Sequence, residues 1–139
     1  MQGKCLCGSV MVTIARRPDY INDCNCDFCR KSGAGWGYFV TDEVEIVGKT
    51  WSMMRPDNPD PAAILHFCSW CGSTTHYVLT PSFKRENPGV DQVGVNMRLF
   101  DPHSLEGVEL MFPEGKIWDG VWPYEYRRPS MTITKCCPW

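Results

Sequence analysis

Residues 24–30 read Cys-Asn-Cys-Asp-Phe-Cys-Arg, three thiols within six residues, all able to reach one metal ion without help from distant chain. Three ligands leave a fourth coordination position. Catalytic zinc ions use it for water or substrate, whereas structural ions close it with a fourth protein ligand. On spacing alone the position here is either open or filled by Asp27, a histidine or a backbone group. Two further pairs stand in Cys5-x-Cys7-Gly8 and Cys68-x-x-Cys71-Gly72. Alternate residues of a strand point the same way, so Cys5 and Cys7 can aim their sulfurs at one ion. Gly72 permits the tight bend of a zinc-knuckle turn.

The chain has nine cysteines, and their odd number and tight spacing favour metal ligation over a disulfide framework. No apolar signal region precedes them, which also argues against an oxidising compartment. Seven of the nine divide into four plus three: Cys5, Cys7, Cys68 and Cys71 closing a structural site, and Cys24, Cys26 and Cys29 forming an open one. A rival grouping makes a zinc ribbon of Cys26, Cys29, Cys68 and Cys71 and leaves Cys5, Cys7 and Cys24 idle. The first grouping uses every clustered thiol. Cys136 and Cys137 fall outside both and read as part of a non-functional tail packed through Trp139.

Three thiolates make zinc a poor Lewis acid towards water, but the soft ligand set suits an incoming thiol. A coordinating thiol loses its proton outright. The chemistry expected is therefore delivery of a thiolate to a carbon electrophile, or its removal from one.

The elements positioning these cysteines read as short strands. Residues 3–15 run from the Cys-x-Cys turn into a β-branched strand, and Trp36–Thr41 is an aromatic one. Val44–Val47 and Thr50–Met54 look like a hairpin across Gly48-Lys49. Ala62–Phe67 and Thr74–Leu79 flank the second knuckle, and Gln92–Phe100, Val108–Phe112 and Lys116–Trp118 are further strands. Residues 55–61 form a proline-rich loop and residues 81–91 a polar one. No long apolar period of 3.6 residues appears, so a single, mainly β domain over 1–139 is expected.

With 14 basic and 16 acidic residues the net charge is −2, which disfavours a nucleic-acid partner. No apolar run approaches the roughly 18 residues of a membrane span, and the reading is a soluble, cytoplasmic protein.

Three blocks then carry a resemblance: Gly3-x-Cys5-x-Cys7-Gly8-x-Val10, Cys24-x-Cys26-x-x-Cys29-Arg30-Lys31-x-Gly33-Ala34, and Phe67-Cys68-x-x-Cys71-Gly72. In order and spacing they resemble the glutathione-dependent formaldehyde-activating enzyme family, which includes centromere protein V. Val93 to Pro102 resembles a weaker fourth block. The resemblance implies a β-tent of packed antiparallel sheets and two zinc ions per chain, one structural on Cys5, Cys7, Cys68 and Cys71 and one catalytic on Cys24, Cys26 and Cys29. It also implies carbon–sulfur bond formation or cleavage, with glutathione adding to formaldehyde to give S-(hydroxymethyl)glutathione. Two positions depart from the family pattern. Asn25 stands where many members have His, and Lys116-Ile117-Trp118 where a His-Ile pair often precedes Trp.

Arg30 and Lys31, directly after the triad, could pair with a substrate carboxylate such as glutathione supplies, or remain solvated. Trp36, Trp70 and Trp122 could line an apolar pocket near the open site or belong to the core. If they line a pocket, the substrate is an apolar or aromatic thioether or aldehyde. His66, His76 and His103 are candidate bases without visible partners, and Asp23, Asp27 and Asp42 suit turns or caps. The expected function is a zinc-dependent carbon–sulfur lyase or thiol-adduct synthase, with Cys24, Cys26 and Cys29 catalytic and Arg30, Lys31 and Trp36 binding substrate. The alternative is a non-catalytic zinc scaffold for protein or nucleic acid. Homo-oligomerisation is left open by the sequence.

Overall fold

The structure, a computed structural model, describes residues 1–119, 123–137 and 139. Its short β-branched and aromatic runs form eleven strands among the described residues, with two short α-helices and three single turns of 3-10 helix. Strands β1 (Gln2–Lys4), β2 (Met11–Ile14) and β5 (Val44–Val47) make a small sheet in the order β1-β2-β5. The large sheet holds β3 (Tyr20–Asn22), β4 (Trp36–Phe39), β6 (Thr50–Met54), β7 (Ala63–Cys68), β8 (Thr74–Leu79), β9 (Val93–Asn96), β10 (Glu109–Met111) and β11 (Met131–Thr132). Its order is β11-β10-β3-β4-β9-β8-β7-β6. The fold is mainly β, as the turn spacing indicated, but the pairing is not wholly antiparallel. β3 and β10 run parallel, because the chain returns beside β3 only after a long excursion through the rest of the sheet.

The two faces of the large sheet do different work. Strand alternation sends Phe39, Val93 and Val95 to one face, where they pack with Val12 and Ile14 of the small sheet, Ile21, Leu110 and Phe112. Each such buried side chain contributes about 1.5–3 kcal/mol, so this cluster carries the bulk of the hydrophobic stabilisation. Trp36, Leu65, Tyr77 and Leu79 point to the other face and cover Cys29 and Ala34. The cysteine triad therefore lies on the sheet face that the main core does not use.

Three expectations are corrected. β5 and β6 are not a hairpin: β5 pairs with β2 and β6 with β7, in different sheets. Gly48, at φ 117, sits between them with its backbone tight against the carbonyl oxygen of Ser9, where a Cβ would lie 2.1 Å away. This close passage redirects the chain from one sheet to the other. Lys116–Trp118 is a turn, not a strand. The polar stretch after β8 opens as a helix, α2 (Pro81–Glu86), with Thr80 accepting from the Phe83 N–H at 3.2 Å and Pro81 at the first helical position. No helix among the described residues is long and apolar enough to cross a membrane.

Candidate metal centre

Cys5, Cys7, Cys68 and Cys71 come together where the two sheets meet. Cys5 and Cys7 follow β1, while Cys68 ends β7 and Cys71 lies in the turn before β8. Both turns close on a left-handed glycine, Gly8 at φ 76 and Gly72 at φ 73, as a tight knuckle requires. All four sulfurs lie within 4.8 Å of one another, with Cys5 and Cys7 at 3.5 Å and Cys7 and Cys68 at 3.8 Å. Tetrahedral zinc with 2.3 Å bonds to sulfur needs sulfurs about 3.8 Å apart, so the donor set and its spacing fit that ion. Backbone N–H groups of Val10 and Trp70 donate to the sulfurs of Cys5 and Cys68 at 3.2 and 3.5 Å. The Cys71 thiol falls to about 5, chiefly through hydrogen bonds from Ser73, whereas burial pushes Cys5 up to about 11.

Cys24, Cys26 and Cys29 form the second cluster, again with all sulfurs within 4.8 Å. Among the described residues no histidine, carboxylate or further cysteine joins them. Asp27, the acid within the triad segment, is engaged instead by Lys31 at 2.8 Å and Arg30 at 3.3 Å. A six-residue helix, α1 (Asp27–Ser32), shapes the triad. Cys26 caps it, its sulfur accepting the Cys29 N–H at 3.5 Å, and Gly33 ends it at φ 66. Hydrogen bonds from Cys24, then Cys29, together with the backbone N–H groups of Cys29 and Phe28, lower Cys26 to about 2. The neighbouring sulfurs of Cys24 and Cys26, then burial, hold the Cys29 proton far more tightly. Three sulfurs this close cannot all ionise unless a cation compensates them. Trp36, 2% exposed, donates its indole N–H to the Cys29 sulfur at 3.3 Å and so supports that thiolate from the sheet side.

The model of the family described as glutathione-dependent formaldehyde-activating enzyme matches residues 1–118, most of the chain. The chain belongs to that family. It is also similar to the crystal structure of a Rhodobacter sphaeroides protein, 26% identical over 78% of this chain and 97% of that one, with a TM-score of 0.57. No curated protein matches the chain. Two cysteine sets able to hold metal are thus gathered within a chain of the glutathione-dependent formaldehyde-activating enzyme family.

The two departures from the family pattern meet at the triad. Asn25 donates to the Glu114 carboxylate and accepts the Lys116 N–H at 3.0 Å, clamping residues 114–116 over the sulfurs. Gly115 makes this approach feasible, since a Cβ there would lie 2.4 Å from the Cys24 sulfur. Nothing in the local sequence around Gly115 signals that role.

Among the described residues three cavities border the triad, one of them lined by Gly115, Trp118 and Tyr124, and the remaining two differ in character. One, of about 410 Å³, brings Cys24 and Cys29 together with Arg30, Arg98 and Arg127. Arg98 and Arg127 both pair with Asp23, at 3.1 and 3.0 Å, and Trp139 donates to the same carboxylate at 3.3 Å. The other, of about 490 Å³, lies beside Cys26 and Cys29 and is walled by Phe28, Trp36, Tyr38 and Tyr77. Burial pushes both tyrosines up, so each stays a neutral phenol at neutral pH.

Arg30 lies in the basic cavity, while Lys31 borders a separate one near Arg55 and Met53. Trp36 belongs to the core and also walls the aromatic cavity. Trp70 is not brought to the triad: it is 84% exposed on the knuckle between Cys68 and Cys71. Trp122 lies outside the described residues. Trp118 and Tyr124, whose rings stand 4.3 Å apart, wall the triad side instead. Cys136 and Cys137 are exposed, while Trp139 is partly buried. Arg98, Arg127 and Tyr77 were not foreseen, because only long-range pairing brings them to the triad.

Proposed function

We propose that the chain is a zinc-dependent carbon–sulfur lyase or thiol-adduct synthase, one β-tent domain with a structural ion on Cys5, Cys7, Cys68 and Cys71. The second ion belongs to Cys24, Cys26 and Cys29, and the observation that carries the reading is a trio of sulfurs that no fourth ligand joins among the described residues. A soft zinc there supplies, when bound, a fourth position at which a thiol gives up its proton near neutral pH. The residues around it have separate tasks. Trp36 and the N-terminus of α1 stabilise the thiolate charge of Cys29 and Cys26. Asn25 holds residues 114–116 across the sulfurs and limits water access. Arg30, Arg98 and Arg127 outnumber Asp23 in the basic cavity, leaving positive charge for the carboxylates of a thiol such as glutathione. The reaction proposed is addition of that thiol to an aldehyde, formaldehyde being the one the family is named for.

Replacing Cys29 with Ser tests the reading. The variant is expected to lose turnover of glutathione and formaldehyde, and one bound zinc, while keeping the parent's far-UV spectrum. Undiminished turnover would sink the assignment.

A further inference from the structure

Formaldehyde has two heavy atoms, comparable to a water molecule, whose share of liquid volume is about 30 Å³. The cavity beside Cys26 and Cys29 is about 490 Å³, the size of pockets that bury much larger ligands. Its walls are mainly apolar and aromatic, with Phe28, Trp36, Ala63, Leu79 and Phe83 among them, and Arg55 and Asn58 also line it. This space is built by strand register. Tyr38 and Tyr77 are both opposite Gly94 in the sheet, one from each neighbouring strand. With no side chain on the middle strand, the Tyr77 ring lies across its backbone, where a Cβ would be 2.0 Å from the ring. The same ring meets Trp36 edge-on at 5.0 Å, and Trp36 in turn holds Cys29.

The polar groups of this cavity are equally specific. Gln92 donates its side-chain amide to the Tyr77 hydroxyl at 2.6 Å, and Asn22 donates to the Tyr38 hydroxyl at 3.0 Å. A phenol both donates and accepts. Among the described residues neither hydroxyl donates to a protein group, so each O–H is left for a ligand that accepts. An apolar space with hydrogen-bond donors at its edge, next to a sulfur site, suits a carbonyl compound with a bulky apolar body.

We propose that this cavity seats the electrophile of the reaction, and that the electrophile is an aldehyde carrying an apolar ring, its carbonyl oxygen held by the Tyr77 hydroxyl. The assignment rests on the thiol-adduct reading and names its second substrate. The thiolate sulfur bonds to the carbonyl carbon and the carbon–oxygen π pair moves to oxygen. That oxygen then takes one proton, matching the one the thiol lost on ionising. The product is a hemithioacetal, and nothing is oxidised or reduced. The Tyr77 hydrogen bond strengthens as charge grows on oxygen, which stabilises the addition and equally its reversal.

Binding of unreactive carbonyl probes to the purified full chain tests this without relying on turnover. Titration calorimetry should show benzamide binding at least about tenfold more tightly than acetamide, the ring being the only difference. Ala63→Phe, which fills the cavity, should abolish that preference, and Tyr77→Phe should weaken benzamide at least about threefold with the far-UV spectrum unchanged. Equal affinity for the two amides, or a preference that survives Ala63→Phe, would overturn the assignment. Turnover of glutathione with formaldehyde but no advantage for benzaldehyde would also overturn it and leave the thiol-adduct reading intact. Tight benzamide binding with no turnover of either aldehyde would overturn the thiol-adduct reading, and with it the electrophile's role, leaving only a binding site for ring-bearing carbonyl compounds.

Discussion

The two cysteine clusters use the same atom type and spacing, yet what surrounds them differs throughout. The four-cysteine cluster joins ends of both sheets, through turns after β1 and β7, and completes a set of four sulfur donors. The triad sits on one sheet face around a single short helix, has no fourth donor among the described residues, and borders cavities of opposite character, one basic and one aromatic. Removing a ligand from the first should therefore cost the fold, and removing one from the second should cost the chemistry. Ligand number alone does not make that distinction. The position of each cluster relative to the main hydrophobic core does.

The sharpest way to break this contrast is Cys68→Ser. Apparent free energies for structural zinc in small folds are about 10–16 kcal/mol. An ordinary domain is stable by only about 5–15 kcal/mol in total. Cys68→Ser is therefore expected to unfold the chain at room temperature, read by circular dichroism. A folded Cys68→Ser variant with normal melting would remove the structural half of the contrast.

A smaller effect comes from the stacked imidazoles near the closed cluster, His66 and His76, whose rings lie 4.3 Å apart. Burial, then the neighbouring His66, lowers His76 from 6.5 to about 3. The folded value lies below the unfolded one, so the neutral ring favours the fold. That contribution is complete above pH 6.5 and is lost as pH falls from 6.5 towards about 3. It amounts to roughly a few kcal/mol. Denaturant titrations across that window should show the parent losing more stability than His76→Gln, and parallel curves would contradict this.

The smallest effect sharpens the triad side. Trp36→Phe keeps the buried ring but removes the N–H donated to Cys29. Loss of such an outer partner weakens metal binding about 10–100-fold. Chelator competition should therefore release one of two zinc ions earlier, with the second unaffected. Simultaneous release of both would argue against separate sites.

Much of this was legible in the cysteines, because ligand spacing is a local property. The fold gathers Cys5 and Cys7 with Cys68 and Cys71, and Cys24 with Cys26 and Cys29, the four-plus-three grouping that leaves no clustered thiol over. Legibility failed where long-range geometry decides. α1 went unseen because it is only six residues long and is capped by a cysteine, outside the usual Ser, Thr, Asp and Asn set. Gly48-Lys49 reads as a two-residue hairpin turn, yet the chain there crosses between sheets. Gly94 and Gly115 look alike in sequence, but one admits the Tyr77 ring and the other the Cys24 sulfur. Arg98 and Arg127 reach the triad only through pairing with Asp23 across most of the chain.

Zinc content per chain, by native mass spectrometry on freshly purified protein, tests the division between the two clusters most directly. Two ions are expected in the parent and one in Cys29→Ser. A single ion in the parent, not raised to two by added zinc, would contradict the separation of a closed structural site from an open reactive one.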